Sequence, residues 1–157
     1  MQSKILLLAS LLAYSIIVSQ SFMYIIALKN VQNSLPAAGY IELRKLIDIN
    51  FVANFKYPMY AGLLCCLLLA LSSIKWPGSI LFITSAIAFA ALVIDTLLAI
   101  KGNIPINTFI NSWTPENYPA DWQFYRAKWL EIFQYRQVAN ITGFISLLVG
   151  AVFNARI

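Results

Sequence analysis

Residues 79–100 read SILFITSAIAFAALVIDTLLAI, an apolar run interrupted by a single charge, Asp95. At about 1.5 Å per residue, a helix of this length crosses the ~30 Å hydrocarbon core of a bilayer. Thr84, Ala88, Ala91, Asp95 and Ala99 recur at helical spacing and fall on one stripe. Small residues on such a stripe let helix backbones approach closely in lipid. Asp95 is therefore expected to point into a bundle and away from acyl chains.

Three more runs have the same character, at about residues 5–28, 58–74 and 137–153. The whole chain is 61% apolar and 11% charged, against about 25% charged in soluble domains, so lipid must cover what water would not. The reading is an all-α, integral membrane four-helix bundle in one domain, residues 1–157. It is multi-pass, in a plasma or inner membrane, with helical extensions at about 38–57 and 101–136 forming a cap on one side. Lys4 and the string Ser19-Gln20-Ser21 would suit a signal peptide. The apolar run continues through Phe22, Tyr24, Ile25 and Ile26, which favours a retained helix.

The connections carry the polar residues. Lys75-Trp76-Pro77-Gly78 is short enough only for a tight hairpin. After a loop at Lys29 to Pro36, residues 38–55 read as a helix with Leu43, Leu46, Ile47, Asn50, Asn54 and Tyr57 on one face. Arg44, Lys45 and Asp48 on the other side read as a solvated face, Asp48 being within reach of both cations. Pro58 is placed to kink the join to the next span.

Lys101 to Pro119 reads as a structured loop, with Pro105 fixing the backbone between Asn103 and Asn107. From Ala120 one helix is expected to continue to Phe153. Trp122, Arg126, Trp129, Phe133, Arg136 and Asn140, three or four apart, share its inner face with Gly143 and Gly150. A loose echo links the halves: each has a span ending in Lys, a polar loop, and a Pro-Ala pair at 36–37 or 119–120. Both long connections lie on one side, with Lys29, Arg44, Lys45, Lys56, Lys101, Arg126, Lys128 and Arg136. Lys4, Lys75 and Arg156 lie on the other, so the positive-inside rule makes the cap cytoplasmic.

Several function classes recede. The net charge of +5 is scattered singly, with no basic block for nucleic acid. Cys65 and Cys66 are adjacent and lack the spacing of a redox pair. The chain has no histidine, which argues against zinc, haem or di-iron, so no metal and no cofactor is expected. Its partners are the lipid bilayer and a hydrophobic aromatic or amphiphilic small molecule. A homo-oligomer stays open, as does a non-enzymatic role in binding a lipid or quinone-like amphiphile or in stabilising a membrane partner.

An intramembrane carboxylate is a functional candidate by default. Asp95 lies roughly 8 Å below the cap side at 1.5 Å per residue, within reach of Arg136. A structural ion pair is the competing reading. Arg126 and Arg136 beside Trp122 and Trp129 suit a flat anionic ligand, or simply an interfacial Trp belt with snorkelling arginines. Asn140 continues that stripe into the membrane. Asn50 and Asn54 could bind a ligand or crosslink helices, and Asn103 and Asn107 read first as turn formers.

The pattern Asn103-x-Pro105-x-Asn107, Trp113, then Asp121-Trp122 with Arg126, Trp129 and Arg136 resembles a small four-span membrane family. That family includes the fungal anthrone oxygenases and many bacterial proteins without an assigned activity. Leu35 to Asn50 is similar to its region before the second span. The likeness covers most of the chain, its specific part about 35 residues. It implies a four-helix membrane bundle and, for characterised members, oxidation of an anthrone to an anthraquinone by dioxygen without a recognised cofactor. Two positions depart: Phe133 stands where members often have His, and Lys45 where many have Gln. On this likeness Asp95 would serve as base, Arg126 or Arg136 would hold the enolate oxygen, and Trp122 and Trp129 would stack on its rings. Asn50, Asn54, Asn103, Asn107, Trp113 and Asn140 complete the expected substrate-binding set.

Overall fold

The computed structural model describes residues 2–154, without the Gln2 side chain; Arg156, one of the cations weighed for topology, lies outside them. The described residues contain no β-strand. Helix α1 spans Gln2–Met23, followed by a π-helical turn Tyr24–Leu28 and α2, Lys29–Ser34. Then come α3, Ala37–Asn54, and α4, Lys56–Ser72. Helix α5, Ile80–Leu98, runs through a second π-helical turn, Ala99–Asn103, into α6, Ile104–Asn111, and α7 covers Trp122–Phe153. Helix α5 packs against α4 and α7, and α1 closes the ring against the same two.

Three stretches of 32 residues, Ser3–Ser34, Ile80–Asn111 and Trp122–Phe153, are long and apolar enough to cross a membrane. Helices α3 and α4 pass the same test only together, bent by 47°. Proline explains the bend. Pro58 has no N–H for the carbonyl of Asn54 and its ring crowds that carbonyl, and α3 ends at Asn54.

Both long connections depart from the loops expected of them. Lys29 to Ser34 and Ile104 to Asn111 are helical, and the irregular segment shrinks to residues 112–121. Pro105 lies in the first turn of α6, where its missing donor is not needed. In both, a π-helical turn takes up one extra residue as a span passes into its extension. The two turns, at 24–28 and 99–103, occupy corresponding places in the two halves, which gives the loose sequence echo a structural counterpart. The hairpin closes with Trp76 N–H on the Ser73 carbonyl at 2.9 Å, and the Ser79 hydroxyl caps α5 by accepting from Phe82 N–H at 3.2 Å.

Close helix contact sets the interior. Thr84, Ala88, Ala91 and Asp95 of α5 are buried, as are Phe133, Arg136, Asn140, Gly143, Leu147 and Gly150 of α7. A Cβ on Gly143 would stand 1.8 Å from the Tyr14 hydroxyl, and one on Gly150 2.3 Å from Thr84 Oγ1. Only glycine lets α7 approach α1 and α5 this closely.

Helix α3 reverses the expected orientation. Its supposed solvated residues point inward: Arg44 is 3% exposed, and Lys45 donates to the Trp113 carbonyl. Asp48 accepts from Asn107 and Asn111, each at 2.7 Å, and bonds neither cation. The apolar residues Leu46, Ile49 and Val52 are outside, more than half exposed. A helix that turns polar groups in and aliphatic groups out matches an apolar surrounding, where unpaired polar groups are costly.

Candidate functional site

The chemistry-bearing residues form one connected polar chain through the cap end of the bundle. At its deep end Asp95, fully buried, accepts from Arg136 Nε at 2.7 Å and from Nη2 at 3.4 Å. Arg136 Nη1 donates to Asn103 Oδ1 at 3.2 Å, and Asn103 Nδ2 donates to the Trp129 carbonyl at 2.9 Å. Asn103 is the last residue of the second π-helical turn. The wide turn aims it at α7.

Asn107 is the junction above. Its Oδ1 accepts from Trp129 Nε1 and from Arg44 Nη2, both at 2.7 Å, while its Nδ2 donates to Asp48. Arg44 stacks 4.0 Å from the Trp129 ring centre and donates through Nη1 to the Tyr24 hydroxyl at 3.2 Å. Gln32 Nε2 donates to that same hydroxyl at 2.9 Å. Tyr24, Trp129 and Phe133 cluster with ring centres 4.4–5.5 Å apart. Arg136 closes the far side, 5.3 Å from the Phe133 ring.

Arg44 is buried without a carboxylate in contact, and its Nε has no partner in the structure. Gln32 Oε1, Tyr40 Oη and Trp113 Nε1 are likewise buried without partners. Ser21 Oγ and Asn140 Oδ1 complete the set among the described residues; such groups are uncommon in folded interiors, and three of the six are gathered around α3.

Asp95, Arg136, Asn103, Asn107 and Trp129 thus come together, with Asn103 and Asn107 in helical turns and bonding other helices where turn formers were expected. Asn140, one turn below Arg136, is 1% exposed. Five residues are placed differently, among them Trp122, which packs in the cap core 5.7 Å from the Tyr40 ring centre. Arg126 does not face Asp95: it donates to the carbonyls of Gln32 and Leu35 at 3.0 and 3.2 Å and stacks 4.6 Å from Trp122. The backbone there lacks helical partners, which a guanidinium supplies. Asn50 and Asn54 are exposed and donate back to the carbonyls of Leu46 and Asn50 on their own helix. Trp113 packs in the cap core with Tyr40, Ile41 and Ile110.

Sequence reasoning missed Tyr24, Gln32, Arg44 and Asp48. A signal was present: in a chain with so few charges, a cluster of three on one helix face has little water to meet.

Beside this network an open cleft of about 550 Å³ separates α1 from α3. Ile16, Met23, Leu46, Ile47, Phe51 and Phe55 give it apolar walls. Tyr24 belongs both to the cleft and to the network. No family model, curated protein or solved structure matches the chain.

Proposed function

We propose that the chain is a multi-pass protein of a plasma or inner membrane, its four spans forming a bundle under a cytoplasmic cap. In this reading it binds a lipid or quinone-like amphiphile in the cleft between α1 and α3. The observation that carries this is the cleft itself. Its size falls in the ~300–1,000 Å³ range of small-molecule sites, its walls are mostly apolar, and the 47° bend that leads away from it is built by Pro58. Filling the cleft tests it. Ile47→Trp should lower binding of a fluorescent-chain amphiphile by tenfold or more with helicity and melting unchanged, and undiminished binding would refute the reading.

A cofactor-independent oxygenase acting on an electron-rich aromatic or phenolic substrate is the second reading. Two buried guanidinium groups flanking the Tyr24, Trp129 and Phe133 rings favour it, because such a setting would steady an enolate. Against it, Asp95 is fully buried and both its oxygens accept from Arg136, so a base would first have to leave its partner. Dioxygen uptake with an anthrone, above that of empty micelles and lost in Asp95→Asn, is the expected result. Uptake equal to that of the micelles removes this reading.

A further inference from the structure

The cleft also carries information about the head of its occupant. None of its lining residues is an aspartate, glutamate, lysine or arginine. Its polar groups are the carboxamides of Gln20 on the α1 wall and Asn50 on the α3 wall, the Ser19 hydroxyl, and Tyr24. Ser19 is occupied by the Ile16 carbonyl at 2.7 Å, and the Tyr24 oxygen already accepts from Gln32 and Arg44. Asn50 uses only its Nδ2, on the Leu46 carbonyl. Its Oδ1 therefore keeps accepting capacity on the α3 wall, and the Gln20 amide on the α1 wall can both donate and accept.

We infer that the occupant is an uncharged amphiphile, carrying a hydroxyl or carbonyl between the two carboxamides and an apolar chain or ring system along the walls. The inference rests on the amphiphile reading and narrows it to one chemical class. A carboxylate or phosphate head set in this wall would lose hydration without meeting a cation, which is strongly unfavourable. A hydroxyl can give its proton to a carboxamide oxygen and accept from a carboxamide N–H, and both kinds of group line the walls. The walls are long enough for such a molecule: from Ile16 to Leu28 and from Leu46 to Phe55 the helices rise roughly 18 and 14 Å at 1.5 Å per residue. Lys29 and Lys56 follow the last lining residue of each wall but do not line the cleft, and Lys56 packs 5.2 Å from the Tyr57 ring.

The test uses the full chain in phosphatidylcholine nanodiscs. Two photoactivatable probes share one diazirine-bearing acyl chain, one as a monoacylglycerol and one as the lysophosphatidic acid, and crosslinks are mapped by peptide mass spectrometry. The neutral probe should label residues 16–28 and 46–55 at least fivefold more than the acidic one. The paired change Gln20→Leu with Asn50→Leu should reduce that preference about threefold to tenfold, the range of one or two net hydrogen bonds. Both positions lie on the cleft wall and neither side chain bonds another element, so the variant is expected to fold, as helicity and gel filtration would show. Equal or stronger labelling by the acidic probe overturns the neutral-head inference while leaving the amphiphile reading standing. Absence of cleft labelling by either probe overturns both.

Discussion

The buried pair of Asp95 and Arg136 yields the sharpest prediction. The Asp95 side chain is 0% exposed and that of Arg136 10%, so neither charge can turn to water if its partner is removed. Breaking such a pair from one side costs about 3–5 kcal/mol, since the remaining charge stays buried. For a chain of ~150 residues each kcal/mol moves the melting point by about 2–4 °C. Asp95→Asn and Arg136→Leu should therefore each melt roughly 6–20 °C below the parent. The double variant Asp95→Leu with Arg136→Leu removes both charges and should regain most of that loss. It keeps a deficit of about 1 kcal/mol, because Asn103 Oδ1 loses its donor. The assay is the fraction of monodisperse protein left after heating in detergent, read as a double-mutant cycle. If Asp95→Asn melts within 2 °C of the parent, or the double variant is no better than the worse single one, the pair does not hold the bundle together as argued. Unchanged melting with lost activity would mark Asp95 as a carboxylate free to do chemistry.

Gly150→Ala should destabilise by about 1–3 kcal/mol through overpacking, and Thr84→Ala should rescue it by removing the hydroxyl 2.3 Å from the new methyl; failure of the rescue in a melting series would show that another contact limits the approach. Arg44→Lys keeps the charge but cannot serve Tyr24, Asn107 and the Trp129 ring together, so amides of residues 104–111 should lose hydrogen-exchange protection. Asn50→Leu and Asn54→Leu should each fall within about 0.5 kcal/mol of the parent on melting, because both side chains bond only their own helix. Cysteines placed at Glu116 and at Lys75 should react with an impermeant maleimide from opposite sides of sealed vesicles, Glu116 from the cytoplasm; same-side labelling contradicts the proposed bundle.

The parts legible in the sequence were those governed by helical period alone. Of the two stripes read, Thr84, Ala88, Ala91 and Asp95 and the part from Trp129 to Gly150 are buried, since apolar and small residues repeat at one spacing over many turns, whereas Ala99, Trp122 and Arg126 are only half-buried. Arg136 meets Asp95 because residue counts placed the two at similar depth on facing helices. The extensions were misread for a common reason. Asn and Pro around residue 105, and the cations of α3, were judged by rules for chains in water, where Pro ends helices and charged faces are solvated. Here the π-helical turn ends at Asn103 and Pro105 falls in the first turn of α6, where a helix tolerates it, and Arg44 finds Asn107, Trp129 and Tyr24 inside the cap. The placement of Arg126 on two backbone carbonyls could not be foreseen, because it depends on where α2 ends against α7.

The inward-facing polar side of α3 has a consequence for biogenesis. If the chain enters its membrane as it is synthesised, Arg44 emerges long before its acceptor Asn107, 63 residues further on, and Trp129 emerges later still. Until then the guanidinium has only the hydroxyl of Tyr24 from the preceding helix. The first hairpin would have to wait with α3 at the level of the lipid headgroups, settling inward only when the second hairpin arrives. Assembly would then be ordered from the second half back onto the first, and a chain truncated before α6 would leave α3 exposed to quality-control proteases.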